Sequence, residues 1–206
     1  MNLKLREYIE INILPEYRKN DLGHNIDHIN YVIDRSFKFA NTVENINLDM
    51  VYTVACYHDI GHHIDAKNHE KVSSEILGKD EELRKFFSLE EIEIMKDAVY
   101  DHRASLEYEP RNIYGKIVST ADRNTSIDIP LKRTYAYSKI HEPNLTLDGL
   151  IERARLHLID KFGNNGYAKE KCYFKDEEYE KFLKDIVELT NNKEEFRERY
   201  IKINNL

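Results

Sequence analysis

Four predicted helices of this chain carry a histidine or an aspartate at one end of an apolar stripe. In the third of them Val51, Val54 and Ala55 have helical spacing, and His58 continues the same face. The polar residues that continue the four stripes are His28, His58, His102 and Asp122. Burying imidazoles and carboxylates costs free energy unless they have partners. The pattern therefore predicts a helical core in which these polar side chains bind a ligand.

The rest of the chain also has apolar residues at helical spacing, and no segment is predicted as a strand. With seven Gly and four Pro in 206 residues, the predicted fold class is all-α. The simplest organisation is a single compact domain over residues 1–206, because the loop-like segment at 163–176 is too short to separate domains. Its motif-bearing core spans about residues 24–140, and further helices at about 146–206 are expected to pack on it.

The charge balance and the cysteine content argue against several classes of protein. Thirty-one Lys and Arg against 38 Asp and Glu give a net charge of −7, which disfavours an extended nucleic-acid surface. Cys56 and Cys172 form neither a disulfide framework nor a zinc-binding pair. We find no signal peptide and no stretch near the roughly 20 apolar residues that span a bilayer. We therefore expect a cytoplasmic protein without a membrane partner, and its 14 tyrosines are compatible with a homodimer interface or with the core.

The stretch CYHDIGHHIDAKNH at residues 56–69 holds four of the nine histidines. His58 and Asp59 lie on the predicted last turn of their helix, where both side chains can converge, and Gly61 is predicted to end that helix. Imidazole and carboxylate donors without a thiolate suit Mn, Fe, Ni, Co, Mg or Zn in a catalytic site rather than a structural zinc site. One buried histidine is usually satisfied by a backbone hydrogen bond, but several together favour a metal.

The order of these residues resembles the HD-domain superfamily of metal-dependent phosphohydrolases. His28 is followed after about thirty residues by His58 and Asp59 at a helix end, and later by Asp122 within STADR. An HD dipeptide is common by chance, but the helix phases and the later ADR make the match specific. The resemblance covers about residues 24–140 and implies an HD-domain-like helical bundle with additional C-terminal helices.

The resemblance also implies roles for individual residues. Four of them are expected to bind a divalent metal: His28, His58, Asp59 and Asp122. His69 and His102 match positions that bind a second ion, with Asp59 bridging, or that position substrate in members with one ion, so one or two ions per chain stay open. His62, in the HDIGH form of the motif, is a candidate proton-transfer residue or a solvated loop histidine. The remaining histidines are predicted to be exposed: His24, His63, His141 and His157.

Phosphate binding also needs cations, and three of them are tethered to the proposed ligands. Arg103 follows His102, Arg123 follows Asp122, and Lys116 lies six residues before Asp122. These three side chains are therefore predicted to contact phosphoryl oxygens.

The predicted function is metal-dependent hydrolysis of a phosphate ester by a metal-activated water. The expected partner is a small phosphorylated substrate, either a nucleotide or a related phosphomonoester or phosphodiester. Asp59 would orient the water, and His62, His69 or His102 would protonate the leaving oxygen. Two alternatives stay open: a catalytically silent HD-fold signalling or scaffold module, and a di-iron oxygenase-type HD enzyme. The cations near the proposed ligands favour the phosphohydrolase.

Overall fold

The computed structural model of the chain describes residues 1–21, 23–168 and 172–206. These residues form ten α-helices and two short 3-10 helices, and no strand is present among them. The predicted all-α class is therefore confirmed. None of the helices in this described part has the length and apolar character needed to cross a membrane.

The described chain divides into two compact units, residues 1–122 and residues 123–206. The first unit holds most of the residues that the sequence predicts to bind metal, to bind phosphate or to take part in catalysis. Each unit has its own helices. A single domain over residues 1–206, with C-terminal helices packed on the core, stays a prediction.

Helix α3 is the central element of the first unit. The six helices of this unit are α1 (Leu3–Asn12), α2 (Ile26–Ala40), α3 (Leu48–Tyr57), α4 (His69–Lys79), α5 (Leu89–Tyr100) and α6 (Ile113–Ala121). Every residue of α3 from Met50 to Tyr57 is buried, and the helix contacts the other five. Cys56 is among these buried residues. The C-terminal end of α3 therefore lies inside the unit, where a polar residue must find partners.

Side-chain caps explain where several of these helices begin. Asn47 accepts hydrogen bonds from the first turn of α3. Ser88 forms a capping box with Glu91 at the start of α5, and the spacing S-x-x-E in the sequence is typical of one. Asn68, predicted to cap α4, makes no cap hydrogen bond. Its amide instead donates to Asp65 Oδ2 at 2.8 Å, and Asp65 Oδ1 accepts from the backbone N–H of Asn68. Asn68 is thus the N-cap residue of α4, as the sequence predicts, but Asp65 holds its side chain away from the first turn of the helix.

The second unit is built from four helices around an apolar cluster. They are α7 (Asp128–His141), α8 (Leu147–Phe162), α9 (Glu177–Asn191) and α10 (Lys193–Asn204). Leu131, Leu158, Phe182 and Phe196 are among the buried residues of this cluster. The loop predicted at 163–176 includes residues 169–171, which lie outside the described residues. The helical character predicted for this part of the chain is confirmed.

Gly61 lies where the chain that leaves α3 passes directly against α4. A Cβ at this position would lie 2.7 Å from Val72 Cγ1 and 2.9 Å from the backbone nitrogen of Ser73. Helix α3 ends at Tyr57 with His58 as its C-cap residue, so the helix ends earlier than predicted. Gly61 is thus required by the close approach of two backbone segments and not as a helix stop.

We expect Gly61→Ala to lower the free energy of unfolding by about 1–3 kcal/mol, because the backbone of Ser73 must shift to admit a methyl group. Urea denaturation of the metal-free protein measures this change. Gly149→Ala is the matched control, since its added Cβ meets the flexible Leu145 Cδ2 at 3.3 Å. Equal stability of the two variants would contradict the steric explanation.

Candidate metal centre

Four helix ends bring polar side chains together in the first unit. His28 is in the first turn of α2, where Asn25 Oδ1 accepts a hydrogen bond from its backbone N–H. His58 and Asp122 are the C-cap residues of α3 and α6, and His102 follows shortly after the end of α5. Their position at helix ends lets these side chains meet without interrupting a helix.

The first group of donors consists of His28, His58, Asp59 and Asp122. His28 Nε2 lies 3.2 Å from Asp122 Oδ1 and 3.5 Å from Asp59 Oδ2. His58 Nε2 lies 3.3 Å from Asp59 Oδ2 and 3.9 Å from Asp122 Oδ1. One ligand atom from each residue lies within 4.8 Å of the others, so all four can face one ion. The sequence predicted this group of residues.

Asp59 directs its other carboxylate oxygen to a second group of donors. Its Oδ1 lies 3.2 Å from His69 Nε2 and 3.4 Å from His102 Nε2, and all three residues are buried. The two Nε2 atoms are 3.3 Å apart. Asp59 therefore lies between the two groups with one oxygen facing each, as a carboxylate that bridges two ions would.

Backbone hydrogen bonds orient three of these imidazoles. Each Nδ1–H donates to the carbonyl oxygen three residues earlier in the chain, with distances of 2.7 Å in His58, 3.1 Å in His69 and 2.6 Å in His102. In a neutral ring this bond leaves the Nε2 lone pair directed at the cluster. The lone pairs of His69 and His102 then face each other and repel, unless a proton or a metal ion lies near both.

Burial and the charges of neighbouring groups together set the protonation of the cluster when no metal is bound. Burial lowers the pKa of His28, but the carboxylates of Asp122 and Asp59 outweigh burial and raise this pKa to about 9. Burial and the positive charge of His102 lower the pKa of His69 to about 4. Burial raises the pKa of the Asp59 and Asp122 carboxyls, yet the neighbouring imidazoles hold it well below its usual range. Both carboxyls are therefore ionised and available as metal ligands.

The donor set fits a divalent metal ion. His28 Nε2, His58 Nε2 and Asp59 Oδ1 are buried and make no hydrogen bond within the described residues, although charged atoms lie close to each of them. Buried polar atoms without hydrogen bonds are rare in folded proteins. An ion at the centre would satisfy such atoms, and a set of imidazoles and carboxylates is typical of catalytic rather than structural sites.

Arg103 acts on the second group of donors through its charge. Its Nη1 lies 3.0 Å from Glu70 Oε2 and donates to the Lys67 carbonyl oxygen at 2.9 Å. The positive charge of Arg103 also contributes to the lowered pKa of His69. Glu70 Oε2 also lies 3.8 Å from His69 Nδ1, so the ion pair of Arg103 and Glu70 lies beside the second group of donors.

The other two predicted cations have different surroundings. Lys116 forms an ion pair with Glu109 at 2.6 Å in the first unit. Arg123 is buried in the second unit. Its positive charge acts on Tyr179: burial raises the pKa of Tyr179 to about 12, and the charge of Arg123 opposes this rise. Their assignment to phosphate binding stays a prediction.

His62 belongs to a third donor group that the sequence interpretation missed. Its ring stacks on that of His24 with centroids 3.8 Å apart, and it lies 5.3 Å from the ring of His69. His24 Nδ1 lies 2.8 Å from Asp21 Oδ1. The side chain of His24 is partly buried, and the prediction that it is exposed was therefore wrong. The spacing of four residues between His24 and His28 is a signal available in the sequence. The remaining histidines are exposed as predicted: His63, His141 and His157.

The fold and the donor groups together define the first unit as a helical domain with a His/Asp cluster compatible with a divalent metal. A family model of the HD domain matches residues 25–126. The chain belongs to the HD-domain superfamily. Comparison with curated proteins and with solved structures gave no match.

Proposed function

We propose that the chain is an HD-type phosphohydrolase that hydrolyses a phosphate ester of a small molecule, a nucleotide or a related phosphomonoester or phosphodiester. The observation that carries this proposal is the position of Asp59, whose two oxygens each face a separate set of imidazoles. Family membership supports the proposal, because metal-dependent phosphohydrolases are typical of the HD domain. Location in the cytoplasm stays a prediction.

The proposed ligands form two sets that share one carboxylate. One ion would be held by His28, His58, Asp59 and Asp122. A second would be held by Asp59, His69 and His102. A divalent ion supplies Lewis acidity toward a phosphoryl oxygen and lowers the pKa of a coordinated water.

Residues around the two sets would complete the reaction. Asp59 is fixed by burial and can orient the attacking water. His62 is partly exposed beside His69, so it can donate a proton to the leaving oxygen of a substrate that enters from solvent. Arg103 would stabilise the negative charge that grows on the phosphoryl oxygens, with Lys116 and Arg123 proposed for the same purpose.

The proposal rests on a complete set of ligands, which argues against a catalytically silent module. A buried charged cluster that no longer binds metal destabilises a fold, so loss of function would be expected to remove its ligands first. A di-iron oxygenase would use the same six residues of the two ligand sets, which are His28, His58, Asp59, His69, His102 and Asp122. Arg103, held 3.0 Å from Glu70 Oε2 beside His69, favours phosphate. Oxygen consumption with ferrous iron separates the two activities.

The direct test combines metal analysis with a hydrolysis panel. Protein purified without chelator is expected to retain two divalent ions per chain, and the double variant His69→Ala/His102→Ala is expected to retain one. His141→Ala, an exposed histidine, is the control and should retain two. Hydrolysis of nucleotides and of an artificial phosphodiester is then measured with Mn, Mg, Ni, Co, Fe or Zn. A wild-type protein that binds no metal, or Asp122→Ala with full turnover, would refute the assignment.

A further inference from the structure

Helices α7 and α8 border a cavity of about 450 Å³ in the second unit. This volume is in the range of small-molecule sites, roughly 300–1,000 Å³. Side chains four residues apart lie on one face of a helix, and each helix contributes one such row to the cavity. The two rows are Ile129, Arg133 and Tyr137 on α7, and Arg153, His157 and Lys161 on α8.

The cavity is positively charged. Arg133, Arg153 and Lys161 line it, and none of the described lining residues is an aspartate or a glutamate. Glu142 pairs with Arg153 from outside this lining and neutralises part of its charge. Partial desolvation of the ring and the charges of Lys161 and Arg153 lower the pKa of His157, while Asp160 opposes this shift. The described lining carries three basic side chains, one of them paired with Glu142, and no acidic side chain, so an anion is the ligand that this cavity attracts.

The cavity also has an apolar side. Pro130, Leu158 and Phe162 are buried residues of its lining. The ring of Tyr137 is half exposed, and the guanidinium carbon of Arg153 lies 4.9 Å from its centroid. A ligand with a flat apolar body and a charged group could contact both sides at once.

We propose that this cavity binds a small organic phosphate, with the phosphate group at Arg133, Arg153 and Lys161 and the apolar body against Tyr137. Phosphate is favoured over a single carboxylate because three cations face one cavity and guanidinium groups match phosphate oxygens in pairs. This ligand site is built from residues of the second unit. It goes beyond the proposed hydrolysis, which uses the donor groups of the first unit.

The test is isothermal titration of the full chain, with metal removed by a chelator so that metal-dependent binding does not contribute. Adenosine 5′-monophosphate combines a phosphate with a flat body, and adenosine lacks the phosphate. We expect the monophosphate to bind with one site per chain and to bind at least tenfold more tightly than adenosine. Its affinity should fall as salt is added, because the attraction is between charges.

Variants of single cations locate the binding. Arg133→Gln and Lys161→Gln should each weaken binding of the monophosphate at least tenfold. Lys132→Gln removes the same charge from an exposed position of α7 and should change the affinity less than twofold. If Arg133→Gln does not fold, the affinity of Lys161→Gln alone decides whether the cations of the cavity bind the phosphate.

The proposal is overturned if adenosine 5′-monophosphate does not bind at millimolar concentration, or if Lys132→Gln weakens binding as much as Lys161→Gln. The result is separable from the proposed hydrolysis. Asp59→Asn should leave binding of the monophosphate to the metal-free protein unchanged, whether or not the wild type hydrolyses phosphate esters.

Discussion

Asp59→Asn is expected to abolish metal retention and to lower any hydrolytic activity by roughly a thousandfold or more, which corresponds to about 4 kcal/mol of transition-state stabilisation. The substitution keeps the size of the side chain but removes the charge that faces both donor groups. His28 and His58 approach one oxygen of Asp59, and His69 and His102 approach the other. A single amide would thus weaken the ligation of two ions.

The measurement is elemental analysis of the purified variant, followed by hydrolysis assays at saturating metal. Asp34→Asn is the matched control, because Asp34 is exposed on α2 and undergoes the same change of charge. It should retain metal and activity like the wild type. If Asp59→Asn keeps the full complement of metal, the two donor groups do not bind ions as proposed.

Metal removal is expected to lower the midpoint of thermal unfolding by about 5–10 °C. An ion present at about a hundred times its dissociation constant stabilises the folded state by ~2.7 kcal/mol. In a protein of this size each kcal/mol shifts the midpoint by roughly 2–4 °C. The physical source of the stabilisation is the negative charge of Asp59 and Asp122, together with the buried Nε2 atoms of His28 and His58 that make no hydrogen bond within the described residues. A bound ion would satisfy both.

Differential scanning calorimetry with chelator, and then with metal restored, measures this shift. Asp59→Asn serves as the internal control, since its midpoint should not respond to added metal. A midpoint that rises equally in the variant and in the wild type would show that the ion acts elsewhere on the protein.

Helical periodicity was enough to predict four of the residues that point into the cluster: His28, His58, His102 and Asp122. His58 and His102 continue apolar stripes, and a residue that continues such a stripe is directed inward whatever the neighbouring helix is. Asp122 follows the same rule at the end of α6. The bridging role of Asp59 came instead from the resemblance to a family, since periodicity does not say to which partner each carboxylate oxygen points.

Contacts between distant segments could not be predicted in this way. Gly61 looked like a helix stop, but its reason is the approach of α4, which no local pattern encodes. The stacking of His24 on His62 likewise depends on how the loop before α2 returns over the end of α3. Arg103 was predicted to contact phosphoryl oxygens from its place after His102, and no sequence signal indicated that Glu70, 33 residues away, pairs with its guanidinium.

The backbone bonds of His58 and His102 have a consequence for how the site responds to change elsewhere. Their acceptors, Ala55 and Val99, are in the last turns of α3 and α5, so these turns themselves set the direction of the imidazoles. The arrangement is preorganised and does not depend on additional carboxylates to support the rings. Fraying of either helix end would therefore turn an imidazole away from the metal. Metal affinity would then fall before the global stability of the fold does.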